Sequence, residues 1–217
     1  MRSYKELLLS NRAWSEEMRE RDENYFTQQT VGQKPEILWI GCSDSRVSPD
    51  QITQTNPGEI FIHRNVANIV HPDDTNLMAV LQFAVDVLQV KHIVLCGHHG
   101  CGGIEATLKG GAEGPIHEWL EDTRRVYANH KAEVDGAGDM KARIDRLVEC
   151  NVRDQLLDLA QSKTVKAAFD RGQPLLLHGW VYDIRDGLLK PLMEIDKDTD
   201  LNPDKAPDTV LLKEKES

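Results

Sequence analysis

The chain has 217 residues, a formal net charge of −10, 40% hydrophobic and 29% charged residues, which fits one ordinary globular domain with a full core. Its acidity excludes a sequence-independent grip on nucleic acid or anionic membrane, and no apolar run approaches the roughly 20 residues of a bilayer span. Three leucines followed by acids make no secretory signal, and four cysteines are too few for a disulfide scaffold, so the protein is read as cytoplasmic with reduced thiols.

In chain order, "YKELLLSNRAWSEEMRERDENYF" has apolar residues at helical spacing and predicts an N-terminal helical arm over 1–35. A core over 36–196 opens with a strand at Glu36–Ile40. "GEIFIHRNVA", introduced by the Pro57-Gly58 turn, is a second strand. "TNLMAVLQFAVDVLQV" predicts an apolar helix with Thr75 as its N-cap. A third strand covers His92–Cys96. The middle, from about Pro115 to Phe169, is largely helical, broken near Gly136 and Gly138 and again at Ser162. "QPLLLHGWVYDI" is a fourth strand, and Asp186-Gly187 turns the chain into "LLKPLMEI" as its hairpin partner. Residues 197–217 read as a polar tail, extended or partly disordered. Strands apolar throughout and separated by helices predict an α/β fold: a mainly parallel β-sheet flanked by helices, with an antiparallel edge strand.

Two strand ends carry unusual chemistry. "GCSDSR" follows the first strand and "GHHGCGG" the third. In parallel sheets ligands bind outside the carboxyl ends of the strands, near a switch in strand order. Alternate positions of extended chain project to one side, which would place Cys42 and Asp44 together. Cys42, Asp44, His98 and Cys101 form a donor set suited to zinc, since thiolates favour it over magnesium or calcium. Cys96 and Cys150, within an apolar strand and a helical pattern, read as packing.

"CSDSR" followed about fifty residues later by "GHxxCGG" resembles the β-class carbonic anhydrases, as do "WIGCSDSRV", "PGEIFIHRNVAN", "QFAVDVL" and "HGWVYDI". The resemblance implies one zinc per chain on Cys42, His98 and Cys101, with Asp44 and Arg46 as the catalytic pair. It implies reversible hydration of CO2 to bicarbonate in a homodimer or homotetramer, and a substrate pocket lined by Gln33, Phe61 and Phe83, partly across the dimer interface. Phe83 stands where some relatives have tyrosine. Trp39, Arg64 and Tyr182 resemble the non-catalytic bicarbonate site of the allosterically regulated branch.

Zinc acidifies water enough to supply hydroxide near neutral pH, provided one coordination position stays open. Arg46 would keep it open by holding Asp44 in a bidentate pair, where the carboxylate accepts a hydrogen bond from the nucleophile. Gly102 would present its N–H to the substrate oxygen. Two thiolates and a neutral histidine leave the ion formally neutral, so activity is expected to favour alkaline pH. His99 reads as an exposed histidine rather than a proton relay. Two other readings stay open: a CS2 or COS hydrolase with the same ligands, and a non-catalytic structural zinc protein. Against the latter, structural sites are usually closed by Cys or His, and an Asp–Arg pair is not.

Overall fold

The computed structural model describes residues 3–201, so most of the predicted tail lies outside the described residues. The chain divides after Lys34 into two compact units. The first holds α1 (Tyr4–Arg21) and α2 (Tyr25–Gln29). Ser3 caps α1 in a reciprocal box: its hydroxyl accepts the Glu6 N–H and Glu6 accepts the Ser3 N–H. No residue of α1 is buried. Trp14 packs edge-on against Phe26, centroids 5.5 Å apart.

The second unit is built on five strands: β1 (Ile37–Cys42), β2 (Ile60–Asn65), β3 (His92–His98), β4 (Leu176–Asp183) and β5 (Leu188–Ile195). Their order is β2-β1-β3-β4-β5, parallel except for the antiparallel β4–β5 pair. This is the expected fold class, with the predicted hairpin at its edge. The helices are α3 (Pro49–Thr53), α4 (Thr75–Gln82), α5 (Gly102–Lys109), α6 (Pro115–Trp119), α7 (Glu121–Asn129), α8 (Lys131–Asp135), α9 (Met140–Gln161) and α10 (Lys163–Asp170). The predicted breaks fall between α8 and α9 and at Ser162, whose hydroxyl accepts the Val165 N–H.

Strand alternation divides the apolar residues between two faces. Leu38, Ile40, Ile93, Leu95 and Leu177 meet Leu77, Leu81, Leu156 and Val165 from the helices in the main core; each fully buried side chain of this kind contributes about 1.5–3 kcal/mol. Trp39, Val94 and Cys96 face the other way, packed by Trp180 and Tyr182. Where α9 crosses β3, Gly97 allows close approach: a Cβ there would lie 2.6 Å from Val152 Cγ2.

Three local expectations are corrected. β1 begins one residue later and runs two residues further than predicted, because Gly41 and Cys42 continue the ladder opposite Arg64 and Asn65; β3 likewise extends to His98, opposite Tyr182. The cap of α4 is Asp74 rather than Thr75, since the Asp74 carboxylate accepts the N–H groups of Asn76 and Leu77 at 3.0 and 3.3 Å and its charge suits a helix N-terminus. The apolar helix also widens to a π-turn over Phe83–Val87.

Candidate metal centre

β1 and β3 are neighbours, yet the chain continues outward from β1 to β2 and from β3 to β4, so the switch in strand order lies between their carboxyl ends. Cys42 is the last residue of β1 and His98 the last of β3. Gly100, at φ 70°, turns the chain back to Cys101, which precedes α5. Cys42, His98 and Cys101 are all buried, and one donor atom from each lies within 4.8 Å of the others. The two sulfurs are 3.9 Å apart.

The orientation of His98 is fixed by its backbone neighbour. Its Nδ1 lies 3.2 Å from the His99 carbonyl oxygen, which only accepts, so Nδ1 carries the proton and Nε2 keeps its lone pair. Nε2 is buried without a hydrogen-bond partner, an orphan that a cation would satisfy. The neighbouring Cys101 thiol pulls the Cys42 pKa well below that of an ordinary thiol; burial opposes this, and the His98 ring and the N–H groups of Asp44 and Ala67 reinforce it. Two buried cysteine sulfurs, one of them favoured as thiolate, beside a bare imidazole nitrogen fit zinc.

Asp44 stands next to this cluster but is turned to Arg46. Its Oδ2 is 3.7 Å from His98 Nε2. Arg46 donates Nε to Oδ1 at 2.9 Å and Nη2 to Oδ2 at 2.7 Å, and also reaches the Gly100 carbonyl at 3.1 Å. The Arg46 side chain holds the Asp44 carboxyl well below the usual carboxylate range. A turn, rather than extended alternation, makes the Asp44–Arg46 pair. Residues 45 and 46 form a turn, closed by the Val47 N–H on the Asp44 carbonyl at 3.0 Å, and the turn brings Arg46 back over Asp44.

Gly102 is the first residue of α5, where N–H groups lack intrahelical partners; a Cβ on it would meet nothing within 4 Å. Phe61 and Phe83 stack on one another, centroids 5.8 Å apart, and Phe83 is exposed. Phe61 lies four positions before Asn65, the residue opposite Cys42, roughly 13 Å along the strand. Within one chain the two rings therefore stand apart from the metal cluster. Gln33 is exposed and belongs to the N-terminal unit. Trp39, Arg64 and Tyr182 share one face of the sheet by register. The Trp39 indole nitrogen is buried without a partner. Arg64 donates to the carbonyl oxygens of Cys42, Asp44 and Val47 at 2.6–2.8 Å, a role in holding the ligand loop that the sequence did not reveal.

His99 is corrected from exposed to buried. Its Nδ1 lies 3.2 Å from Asp183 and its Nε2 3.3 Å from Glu149. Burial lowers its pKa, but these two carboxylates outweigh that and leave it raised. Cys96 and Cys150 are buried as expected, and burial pushes the Cys150 thiol up to about 12. Cys150 also lies near His130 and Glu133, but Arg153 sits among them, 2.7 Å from Glu133 and 3.4 Å from the sulfur, and already supplies a cation.

A mainly parallel sheet with a Cys–His–Cys cluster at its switch point defines an α/β protein with a candidate metal centre. The family model for carbonic anhydrase matches residues 37–189. A carbonic anhydrase of Emericella nidulans is 42% identical over 183 residues, covering 84% of this chain and 80% of that protein. Among solved structures, a Coccomyxa beta-carbonic anhydrase in complex with acetazolamide aligns with a TM-score of 0.85 and 40% identity, over 90% of this chain and 89% of that one. One of two tetrameric beta-carbonic anhydrases from Sordaria macrospora aligns with a TM-score of 0.83 and 41% identity, over 87% and 96%. The chain belongs to the β-class carbonic anhydrases, zinc-dependent enzymes that reversibly hydrate CO2 to bicarbonate.

Proposed function

We propose that this carbonic anhydrase holds one zinc ion per chain through Cys42, His98 and Cys101, with Asp44 as a gate that Arg46 latches open. The observation that carries this reading is the position of Asp44: 3.7 Å from the free His98 nitrogen, yet bonded at both oxygens to Arg46. A zinc ion bound there supplies water acidified enough to yield hydroxide near neutral pH. The protein's own groups do the rest. Arg46 keeps the carboxylate off the fourth position, and Asp44 accepts a hydrogen bond from the nucleophile and so orients its lone pair toward CO2. Gly102, with open space before it, offers its N–H to the substrate oxygen. Metal content and stopped-flow CO2 hydration, measured on the same samples of parent, Cys42→Ser and Cys101→Ser, test the assignment. The expected result is about one zinc per chain in the parent and the joint loss of zinc and activity in both variants. Stoichiometric zinc in either variant would falsify it.

The second element of the reading is an anion site at Trp39, Arg64 and Tyr182, taking bicarbonate. Its support is the partnerless Trp39 N–H on the face shared with Arg64 and Tyr182. Arg64 also links that face to the gate: an anion drawn to it competes with the carbonyls of Asp44 and Val47 for the same donors. Bicarbonate bound there loosens the segment that carries Asp44 and favours the closed state.

Gln33, Phe61 and Phe83 contribute to the substrate pocket through a second copy of the chain, in a homodimer or homotetramer; the exposed Phe83 supports this. No helix among the described residues is long and apolar enough to cross a membrane. A cytoplasmic location is supported by four free cysteines, two of them needed as thiolates.

A further inference from the structure

After β2 the chain makes a tight turn over Val66–Asn68, in which Ala67 (φ 63°) and Asn68 (φ 46°) are both left-handed. Neither is glycine, and a left-handed alanine is unfavourable because Cβ crowds the carbonyl. The surroundings must therefore impose this backbone. The turn is held almost entirely by side chains. Asn151 donates Nδ2 to the Ala67 carbonyl at 3.0 Å. Gln155, one helical turn on, accepts the Val70 N–H at 2.6 Å and donates to the Asn151 oxygen at 3.4 Å. Trp119 donates to the Val66 carbonyl at 2.8 Å, and Asn65 brackets Ile69 with two bonds of 2.8 Å. Asn151 and Gln155 are buried on α9, at 1% and 0% exposure.

What the turn touches gives the amides a purpose beyond filling the core. Ala67 shares a buried cluster with Cys42 and Cys101 and directs its N–H at the Cys42 sulfur. The same turn sets the start of α5: a Cβ on Gly103 would lie 3.0 Å from Val66 and 3.2 Å from Ala67. One strained turn thus braces both cysteines.

We propose that Asn151, backed by Gln155, is a positioning residue of the metal centre, holding the Val66–Asn68 turn so that the Cys42 sulfur and the beginning of α5 stay in register. The inference rests on zinc being held by Cys42, His98 and Cys101. Groups that orient first ligands typically govern metal affinity by 10- to 100-fold.

The test compares zinc-loaded Asn151→Ala and Trp119→Phe with the parent and with Leu156→Ala, a core truncation in the buried cluster that does not include Ala67, Cys42 or Cys101. Zinc loss to a chelator and the visible spectrum of the cobalt-substituted proteins are read for each. Asn151→Ala should lose zinc about 10- to 100-fold faster and shift the sulfur-to-cobalt charge-transfer band, with Trp119→Phe smaller in the same direction. Leu156→Ala should lower stability and change neither. Parental zinc loss and spectrum in Asn151→Ala overturn the proposal. If that variant does not fold, Trp119→Phe decides, since its ring is partly exposed. A parent lacking a two-thiolate spectrum would instead defeat the ligand assignment beneath it.

Discussion

Arg46, within the turn that follows Asp44, folds back on its carboxylate in a two-point bridge, 2.9 and 2.7 Å, while the same carboxylate stands 3.7 Å from the unpartnered nitrogen of His98. A carboxylate so close to that nitrogen would stay off a zinc ion bound there only while Arg46 holds it. Arg46→Ala should therefore leave zinc bound and lower CO2 hydration on the order of 100-fold, the usual cost of a misplaced group beside the chemistry. A parental rate from about pH 7 to 9 in that variant, with full zinc, would remove the latch.

The anion site makes a separate prediction. Trp39→Val and Tyr182→Phe remove donors on the face that Arg64 shares and leave the metal ligands untouched. Both should keep zinc and show weaker inhibition by bicarbonate than the parent. Unchanged inhibition in both assigns these residues structural roles.

Much of this was legible locally. Cys42 and His98 announce themselves because each ends an apolar run, and Cys101 because glycines crowd the turn before it. Legibility stopped where long-range contacts decide. Arg64 looks like a strand residue, and only the fold shows its bonds to three loop carbonyls. "RNVA" reads as continuing strand, yet β2 ends at Asn65 and the left-handed turn that follows is bonded to Asn151, more than eighty residues later. His99 sits beside a ligand among glycines, so the sequence suggests exposure, whereas Asp183 and Glu149, distant in sequence, bury it. Asp74 and Thr75 are both good caps, and the choice between them is one of backbone geometry.

Asp183 should matter to stability in a pH-dependent way. The Arg185 guanidinium, opposed by burial and aided by the Arg185 N–H, Lys190 and His99, holds its carboxyl below the usual range. A depressed folded-state pKa stabilises above the unfolded value of about 3.9 and is lost as pH falls through the folded value. Asp183→Asn should cost about 2 kcal/mol or more near neutrality, with a gap to the parent that narrows below about pH 4. Denaturant midpoints across that range check it, and a constant gap would contradict it.

The crossing of α9 over β3 predicts a packing defect. Gly97→Ala places a Cβ 2.6 Å from Val152 and 3.2 Å from Val148, overpacking that typically costs about 1–3 kcal/mol. The denaturation midpoint should fall with an unchanged slope. A parental midpoint would mean the helix shifts freely at this crossing.

X-ray absorption at the zinc edge of the purified parent tests the metal centre most directly. Cys42, His98 and Cys101 as ligands predict two sulfur neighbours at about 2.3 Å and two nitrogen or oxygen neighbours at about 2.0–2.2 Å. One sulfur or none around the ion, or three or four sulfurs, would contradict it.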